Sequence, residues 1–205
     1  MNNHNLEQHL SELMRLYNYS DEQIQEVKNA YFRQSSLNDY QFDGYKFRVN
    51  IPFQNKSSNP DPDFNKKGDS GFDLRADLPE GMSSMVYSQK YIKIDPFDTY
   101  IVPTGLFFQI PEGYEMQIRP RSGVVAKSKI TVANSPGTID SNYRGEIKVI
   151  LYNFKNKEDY IYQGDRIAQA VISNVIAADS ISLNNADNLN ETNRNEEGFG
   201  STGFQ

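Results

Sequence analysis

The hydrophobic pattern of the chain changes its period near residue 45. Before that point Leu6, Leu10 and Leu13 recur at spacings of three and four, which places them on one face of a helix. From Tyr45 to Phe53 apolar and polar residues alternate strictly, as in a half-buried strand. The pattern therefore predicts a helical N-terminal segment followed by β-structure.

The helical segment is predicted over residues 4–33. Ser20 and Gln23 have the spacing of a capping box, in which each side chain bonds the other's backbone N–H, and this marks the start of a second helix. Ile24, Val27 and Tyr31 continue an apolar stripe after it. We expect a short helical hairpin, which would either bind a protein partner or pack on its own chain or oligomer.

Residues 45–175 contain short apolar runs bounded by Pro, Gly, Asp or Asn, which is typical of an all-β sandwich, jelly roll or barrel. The strands are predicted at 45–53, 91–94, 99–102, 106–110, 114–119, 146–153 and 166–172. The tail is polar and rich in Asn, and it ends in GFGSTGFQ. We therefore divide the chain into a helical extension (1–44), a β core (45–175) and a C-terminal arm (176–205).

The amino-acid composition limits which catalytic groups and metal ligands the chain can offer. The 205 residues include no Cys, and the only His residues are His4 and His9. This excludes a thiol nucleophile and a Cys-containing zinc site, and a Ser-His-Asp triad in the β core. Acid–base catalysis would fall to carboxylates, Lys or Tyr, and a metal would be a hard ion such as Mg²⁺ bound by oxygen.

The formal net charge is −6, so nothing attracts the chain as a whole to nucleic acid or to an anionic membrane. Basic groups for an anionic ligand would have to be concentrated locally. No apolar run is long enough to span a membrane, and residues 1–10 lack the basic and apolar blocks of a signal peptide. We expect a cytoplasmic protein with no nucleic-acid or membrane partner.

Five short segments carry candidate chemistry, and each alone is also compatible with an ordinary turn or a flexible tail. They read SGFDLRA (70–76), RPRSG (119–123), NSPGTIDSNYRGE (134–146), GDRIAQ (164–169) and RNEEGFGSTG (194–203). The third segment places Asp140 in a predicted tight hairpin. In a core without His, this carboxylate is the best candidate for a general base.

Taken together and in this order, the five segments resemble the motifs of the homotrimeric dUTPase family over residues 45–205. The resemblance implies a distorted jelly-roll or β-clip-like barrel and a trimer with intersubunit sites. It also implies hydrolysis of dUTP to dUMP and pyrophosphate with Mg²⁺, which the substrate phosphates and water would hold without direct protein ligands. In that family this reaction keeps uracil out of DNA and supplies dUMP for thymidylate synthesis.

The resemblance also assigns residues by position. Asp140 is the catalytic carboxylate. Asp73 and Arg166 support the residues that contact the substrate and do not contact it themselves. The phosphate-binding residues are Arg121, Ser122, Gly123, Gln169, Arg194, Ser201 and Thr202. The residues around uracil and deoxyribose are Asn134, Gly137, Thr138, Ile139, Tyr143, Lys148 and Phe199.

Three features depart from the family or lie outside it. Glu196 and Glu197 stand where the family has a more glycine-rich run, and residues 81–89 look like an insertion. Residues 1–44 lie outside the family core. Two alternatives stay open: a dCTP deaminase on the same fold, and a nucleotide-switched regulatory protein that binds a partner through residues 1–44 or 81–89.

Overall fold

The computed structural model describes residues 11, 12, 15, 20–22, 24, 40–43, 46–86, 88–176, 178–192 and 195, and for 40–43 and 46–48 the backbone only. Within the predicted N-terminal helices, residues 11, 12, 15, 21, 22 and 24 are helical. The Ile24 N–H donates to the Ser20 carbonyl at 2.9 Å, which is the first turn of the second helix. The rest of that hairpin, with His4, His9 and Gln23, lies outside the described residues.

The fold is all-β, as the sequence predicts. Among the described residues, antiparallel pairing arranges the strands in five small sheets. The strands are β1 (Tyr40–Asp43), β2 (Lys46–Val49), β3 (Phe53–Asn55), β4 (Phe72–Arg75), β5 (Ser84–Val86), β6 (Gln89–Ile94), β7 (Thr99–Pro103), β8 (Leu106–Phe108), β9 (Tyr114–Arg119), β10 (Ile130–Val132), β11 (Gly137–Ile139), β12 (Lys148–Asn153), β13 (Asp159–Tyr162) and β14 (Arg166–Asn174). One short helix, α1 (Ser122–Ser128), follows β9.

The sheet that positions the candidate site has the strand order β11-β9-β14-β4. Its centre is the β9–β14 pair, which runs from Gln169 opposite Arg119 to Asn174 opposite Tyr114. The inward side chains of these strands join one core, in which Leu74, Met116 and Ala170 are fully buried. Alternate residues of β4 point outward, so Asp73 and Arg75 remain at least partly accessible.

One strand prediction was wrong, and two elements were not predicted. The 45–53 strand is interrupted, because β2 ends at Val49 and β3 starts at Phe53; Pro52 between them has no N–H to donate to a sheet. The segment around Asp73 forms β4, since Phe72 and Leu74 are buried in the core. Residues 122–128 form the helix α1.

The segment 81–89 contains β5, which pairs with β6 as a hairpin at the end of the β13-β6-β5 sheet. All three residues of β5 are exposed, and Met85 is 60% exposed. The arm is described up to residue 192, and after a 3-10 turn at Ala178–Ser180 it has no regular secondary structure. Among the described residues, no helix has the length and apolarity needed to cross a bilayer.

Asn153 joins three segments at the end of β12 and is fully buried. Its amide N–H groups lie within hydrogen-bond distance of the Ile94, Asp95 and Lys157 carbonyls at 2.9–3.2 Å. Its carbonyl accepts the Lys155 N–H at 3.0 Å. Both ends of the side chain are therefore satisfied inside the core.

We predict that Asn153→Ala lowers the free energy of unfolding by about 2–3 kcal/mol, because it leaves buried backbone groups without partners. Asn153→Asp should be at least as harmful, since its carboxylate would face carbonyl oxygens. Urea unfolding measures both effects. Asn156→Ala, an exposed substitution nearby, is the matched control, and an equal loss in that variant would contradict this role of Asn153.

Candidate active site

Two groups of predicted site residues occupy different parts of the β11-β9-β14-β4 sheet. We call the first the carboxylate–arginine cluster (Asp73, Arg121 and Arg166) and the second the Asp140 turn (residues 140–146). The first lies on β4, on β14 and before α1, and the second follows β11. Each is described below before the two are related.

In the carboxylate–arginine cluster, one carboxylate lies between two guanidiniums. Arg121 Nε is 2.6 Å from Asp73 Oδ1, and Arg166 Nη1 is 3.3 Å from Asp73 Oδ2. The side chain of Asp73 is 15% exposed, whereas that of Arg166 is 47% exposed. Two positive charges against one negative charge leave a local excess of positive charge, although the whole chain is acidic. Such a cluster suits an anionic ligand.

The backbone explains why these groups meet. In β14 the pairing with β4 shifts between Arg166 and Ala168, which is a β-bulge. Bulges redirect neighbouring side chains, and here Arg166 reaches Asp73 on the adjacent strand. Arg121 precedes the first residue of α1, and its carbonyl accepts the N–H groups of Val124 and Val125. The start of the helix thus fixes the backbone of Arg121.

Gln169 connects the cluster to α1. Its amide nitrogen donates to the Pro120 carbonyl at 2.8 Å, and in the sheet Gln169 lies opposite both Asp73 and Arg119. Beside it an open hollow of about 750 Å³ is lined by Arg119, Ser122, Pro136 and neighbouring residues. The N–H groups at the start of an α-helix have no acceptor within the helix, so those of Ser122 and Gly123 remain available for a ligand.

The Asp140 turn closes on itself. The Tyr143 N–H donates to the Asp140 carbonyl at 3.1 Å, and Arg144 Nη1 donates to the Ser141 and Tyr143 carbonyls at 2.6 and 2.8 Å. Asp140 is exposed to solvent, and Tyr143 is 44% exposed. The turn therefore presents one carboxylate and one aromatic ring to the outside on a braced backbone.

The strand that leads into this turn is at the edge of its sheet. Among the described residues, β11 pairs with β9 alone. Gly137 is buried, with Asn134 beside it, and an added Cβ at Gly137 would lie 3.1 Å from Asn134 Nδ2. Thr138 is exposed, and Ile139 is half-buried. Backbone N–H and C=O groups on the other edge of β11 are thus open to a ligand.

Other predicted residues lie elsewhere. Lys148, at the start of β12, is 3.8 Å from Glu146 Oε2 and pairs through its backbone with Pro103. Arg194, Phe199, Ser201 and Thr202, like Glu196 and Glu197, lie outside the described residues. Glu146 was missed by sequence reasoning: its carboxylate accepts the Gly105 N–H at 2.9 Å, a contact between distant segments that no sequence pattern announces.

The donor set does not form a protein metal site. Among the described residues, no three His, Cys, Asp or Glu side chains lie close enough together to hold an ion. Asp73, the carboxylate of the first cluster, is already paired with Arg121 and Arg166. A divalent ion here would take its ligands from the phosphates of a bound molecule and from water.

A braced carboxylate and a separate carboxylate–arginine cluster, both carried on an all-β fold, are typical of enzymes that act on phosphorylated ligands. The dUTPase family model matches residues 58–203. The deoxyuridine 5'-triphosphate nucleotidohydrolase of Finegoldia magna is 45% identical over 156 residues, which cover 76% of this chain and 100% of that protein. The enzyme of the same name from Neorickettsia sennetsu is 49% identical over 144 residues, or 70% of this chain and 88% of that protein.

Solved structures agree on the fold. The chain is similar to the Staphylococcus bacteriophage 80alpha dUTPase determined with dUPNHPP, with a TM-score of 0.62 and 23% identity over 75% of this chain and 98% of that one. It is also similar to a mutant dUTPase from phage phi11 of S. aureus, described with a structural Mg(II) ion, with a TM-score of 0.56 and 20% identity over 69% of this chain and 99% of that one.

The chain belongs to the dUTPase family. It is an enzyme of the dUTP diphosphatase class, a nucleotide hydrolase.

We predict that Asp73→Asn lowers the free energy of unfolding by about 2 kcal/mol, because two partly buried guanidiniums lose their shared counter-charge. Urea unfolding measures the loss. Asp95→Asn is the matched control, since Asp95 pairs with Lys93 at 2.7 Å on the surface, and its cost should stay below about 0.5 kcal/mol. Equal costs in the two variants would show that the carboxylate–arginine cluster is no more than a surface ion pair.

Proposed function

We propose that the chain hydrolyses dUTP to dUMP and pyrophosphate in sites that form between the copies of a homotrimer. Family membership supports the reaction. The separation of the Asp140 turn from the carboxylate–arginine cluster within one chain is the observation that supports the shared site. The biological consequence is that uracil is kept out of DNA and dUMP is supplied for thymidylate synthesis.

The separation follows from the sheet register. β11 and β4 are the two edges of the sheet, three strand spacings apart, which is about 14 Å. Along the strands, Asp73 shares a row with Gln169 and Arg119, whereas Ile139 is already level with Met116 and Ile172. Asp140 is one residue further, about 13 Å along the strands from the Asp73 row. This separation supports a site in which a triphosphate bound at Arg121 meets the Asp140 of another copy.

The phosphates would bind at the carboxylate–arginine cluster. Arg121 supplies a guanidinium that Asp73 holds in place, and Ser122 and Gly123 supply backbone N–H groups and a hydroxyl. Gln169 holds the Pro120 carbonyl and so positions the segment that leads into α1. Arg166 shares the Asp73 carboxylate, so both of its oxygens are paired with arginines.

Asp140 would orient a water molecule and accept its proton as the water attacks the α-phosphorus. The bond from that phosphorus to the leaving pyrophosphate then breaks, and dUMP retains the new oxygen. An exposed carboxylate on a braced turn suits this role, because it can reach the substrate of a neighbouring copy. Mg²⁺ would arrive on the triphosphate as part of the substrate, where it offsets phosphate charge.

The base and the sugar would be read at β11 and at the Asp140 turn. The open edge of β11 from Gly137 to Ile139, together with Asn134, can pair with uracil as a complementary base would. A site built to satisfy those hydrogen bonds discriminates strongly against a mispaired base. The Tyr143 ring would lie against deoxyribose, where a ribose 2′-hydroxyl would clash. Lys148 would contribute only its backbone, near the base.

The arm would complete the site from another copy. In this interpretation Arg194 contacts the γ-phosphate, Ser201 and Thr202 add hydroxyls, and Phe199 stacks over uracil. The described part of the arm, residues 176, 178–192 and 195, is exposed throughout. None of these described residues is buried in its own chain, so the arm is able to reach another subunit.

We expect Asp140→Asn to keep dUTP binding and to lose most of its turnover, by at least about a hundredfold, since the amide cannot accept the proton. Pyrophosphate release measures kcat, and calorimetry with a non-hydrolysable dUTP analogue measures binding. Asp95→Asn, an exposed Asp→Asn change outside the five segments, is the control. An unchanged kcat in Asp140→Asn would remove Asp140 as the base.

Mixing two inactive variants tests the shared site. If Asp140 and Arg121 act from different copies, trimers co-expressed from Asp140→Asn and Arg121→Ala chains regain activity. Random assembly then leaves about one site in four with both native residues. Each variant alone, and a doubly substituted chain mixed with wild type, provide the baselines. Hybrid trimers that stay inactive would place both residues of a site on one chain.

The reaction products distinguish the dCTP deaminase alternative from the diphosphatase. Ammonia release from dCTP by the wild-type chain would favour the deaminase, whereas pyrophosphate release from dUTP favours the diphosphatase. Binding of a partner through residues 1–44 stays a prediction, as do the domain boundaries at 44/45 and 175/176 and the cytoplasmic location.

A further inference from the structure

We propose that Gly145 and Glu146 are positioning residues that hold the Tyr143 ring in the orientation from which it distinguishes deoxyribose from ribose. The inference rests on the function proposed above and names two residues that act through Tyr143. It starts from an unusually close approach of the tyrosine ring to the backbone.

The ring of Tyr143 lies directly against Gly145. A Cβ added at Gly145 would be 2.3 Å from Tyr143 Oη and 2.5 Å from Cζ, well inside van der Waals contact. Gly145 is not among the residues with positive φ, so its backbone conformation is open to other residue types. The tyrosine ring is therefore the reason that this position is a glycine.

The hydroxyl of Tyr143 is bonded just as closely. It donates to the backbone carbonyl of Glu146 at 3.1 Å. Gly145 and the Glu146 carbonyl therefore both contact the hydroxyl end of the ring. Tyr143 as a whole remains 44% exposed, so part of the residue is still available to a sugar.

The acceptor carbonyl is itself fixed by a distant segment. The Glu146 carboxylate accepts the Gly105 N–H at 2.9 Å, and its side chain is 23% exposed. The next residue, Ile147, accepts from Thr104 Oγ1 at 2.7 Å and donates to the Leu106 carbonyl at 2.8 Å. Three hydrogen bonds thus hold residues 146–147 to the turn between β7 and β8.

Each of these contacts fixes the position of the next group. The turn at 104–106 fixes Glu146, the Glu146 carbonyl fixes the Tyr143 hydroxyl, and the missing side chain of Gly145 leaves room for the hydroxyl end of the ring. A ring displaced by about 1 Å would no longer exclude a 2′-hydroxyl, because steric discrimination falls steeply with distance. Substrate choice at the sugar is therefore expected to depend on residues that do not touch the sugar.

The test is the ratio of kcat/KM for dUTP to kcat/KM for UTP. Gly145→Ala should lower this ratio by on the order of tenfold or more, because the new Cβ displaces the ring. Asn156→Ala is the control: Asn156 is exposed and lies outside the candidate site, so that variant should keep the ratio. A Gly145→Ala chain that keeps the wild-type ratio overturns the inference.

Combining Gly145→Ala with Tyr143→Ala shows whether Gly145 acts through the tyrosine ring. There Gly145→Ala should change the ratio by less than about twofold, since no ring remains to be displaced. A further loss as large as in the native background would overturn the proposed route through Tyr143.

Glu146 is tested separately, which also covers the case that Gly145→Ala does not fold. Glu146→Ala should lower the ratio, and Glu146→Gln, which keeps an oxygen for the Gly105 N–H, should restore most of it. Equal ratios in Glu146→Ala and wild type would overturn the role of Glu146. A wild-type chain that does not hydrolyse dUTP would overturn the proposed function itself, whereas normal dUTP hydrolysis with unchanged ratios in the variants overturns this inference alone.

Discussion

The antiparallel pairing of β9 with β14 is the constraint on which the candidate site depends. Its register places Gln169 between Asp73 and Arg119 in one row. It also leaves β4 and β11 as the two edge strands of the sheet. Asp73 therefore lies on one edge strand, and the Asp140 turn follows the other. A slip of one residue would turn Asp73 and Gln169 into the core and bring Leu74 to the surface. The hydrophobic core thus selects the arrangement of charges.

The charge distribution of this acidic chain supports the proposed phosphate site. The formal net charge is −6, yet Arg121 and Arg166 share a single carboxylate. Asp73 keeps the two guanidiniums close together, which their repulsion would otherwise oppose. The same carboxylate is only 15% exposed, so its own charge is partly screened from an incoming phosphate by the arginines around it.

Sequence patterns predicted the all-β class and most of the longer strands, because β9, β12 and β14 are runs whose apolar positions fill a core. They did not predict β4, β11 or α1. Each of these is short and contains turn-forming or polar residues, and it is stabilised by pairing or packing with distant segments. β11, for example, has three residues and exists through its pairing with Ile118, Gln117 and Met116. The same limit applies to the site: motifs indicated Asp140 and Tyr143, whereas the contact of Glu146 with Gly105 joins residues 41 positions apart.

The open edge of β11 has a consequence for the unliganded protein. An unpaired strand edge is a surface to which any other extended chain can add, and proteins normally cover or charge it. If β11 pairs with the base as proposed above, its edge has to stay uncovered until the base binds. In the unoccupied enzyme each copy would therefore carry a short adhesive edge, kept harmless by a length of only three residues and by the turns at both ends. Nucleotide would then act as a protective cap against misassociation as well as a substrate.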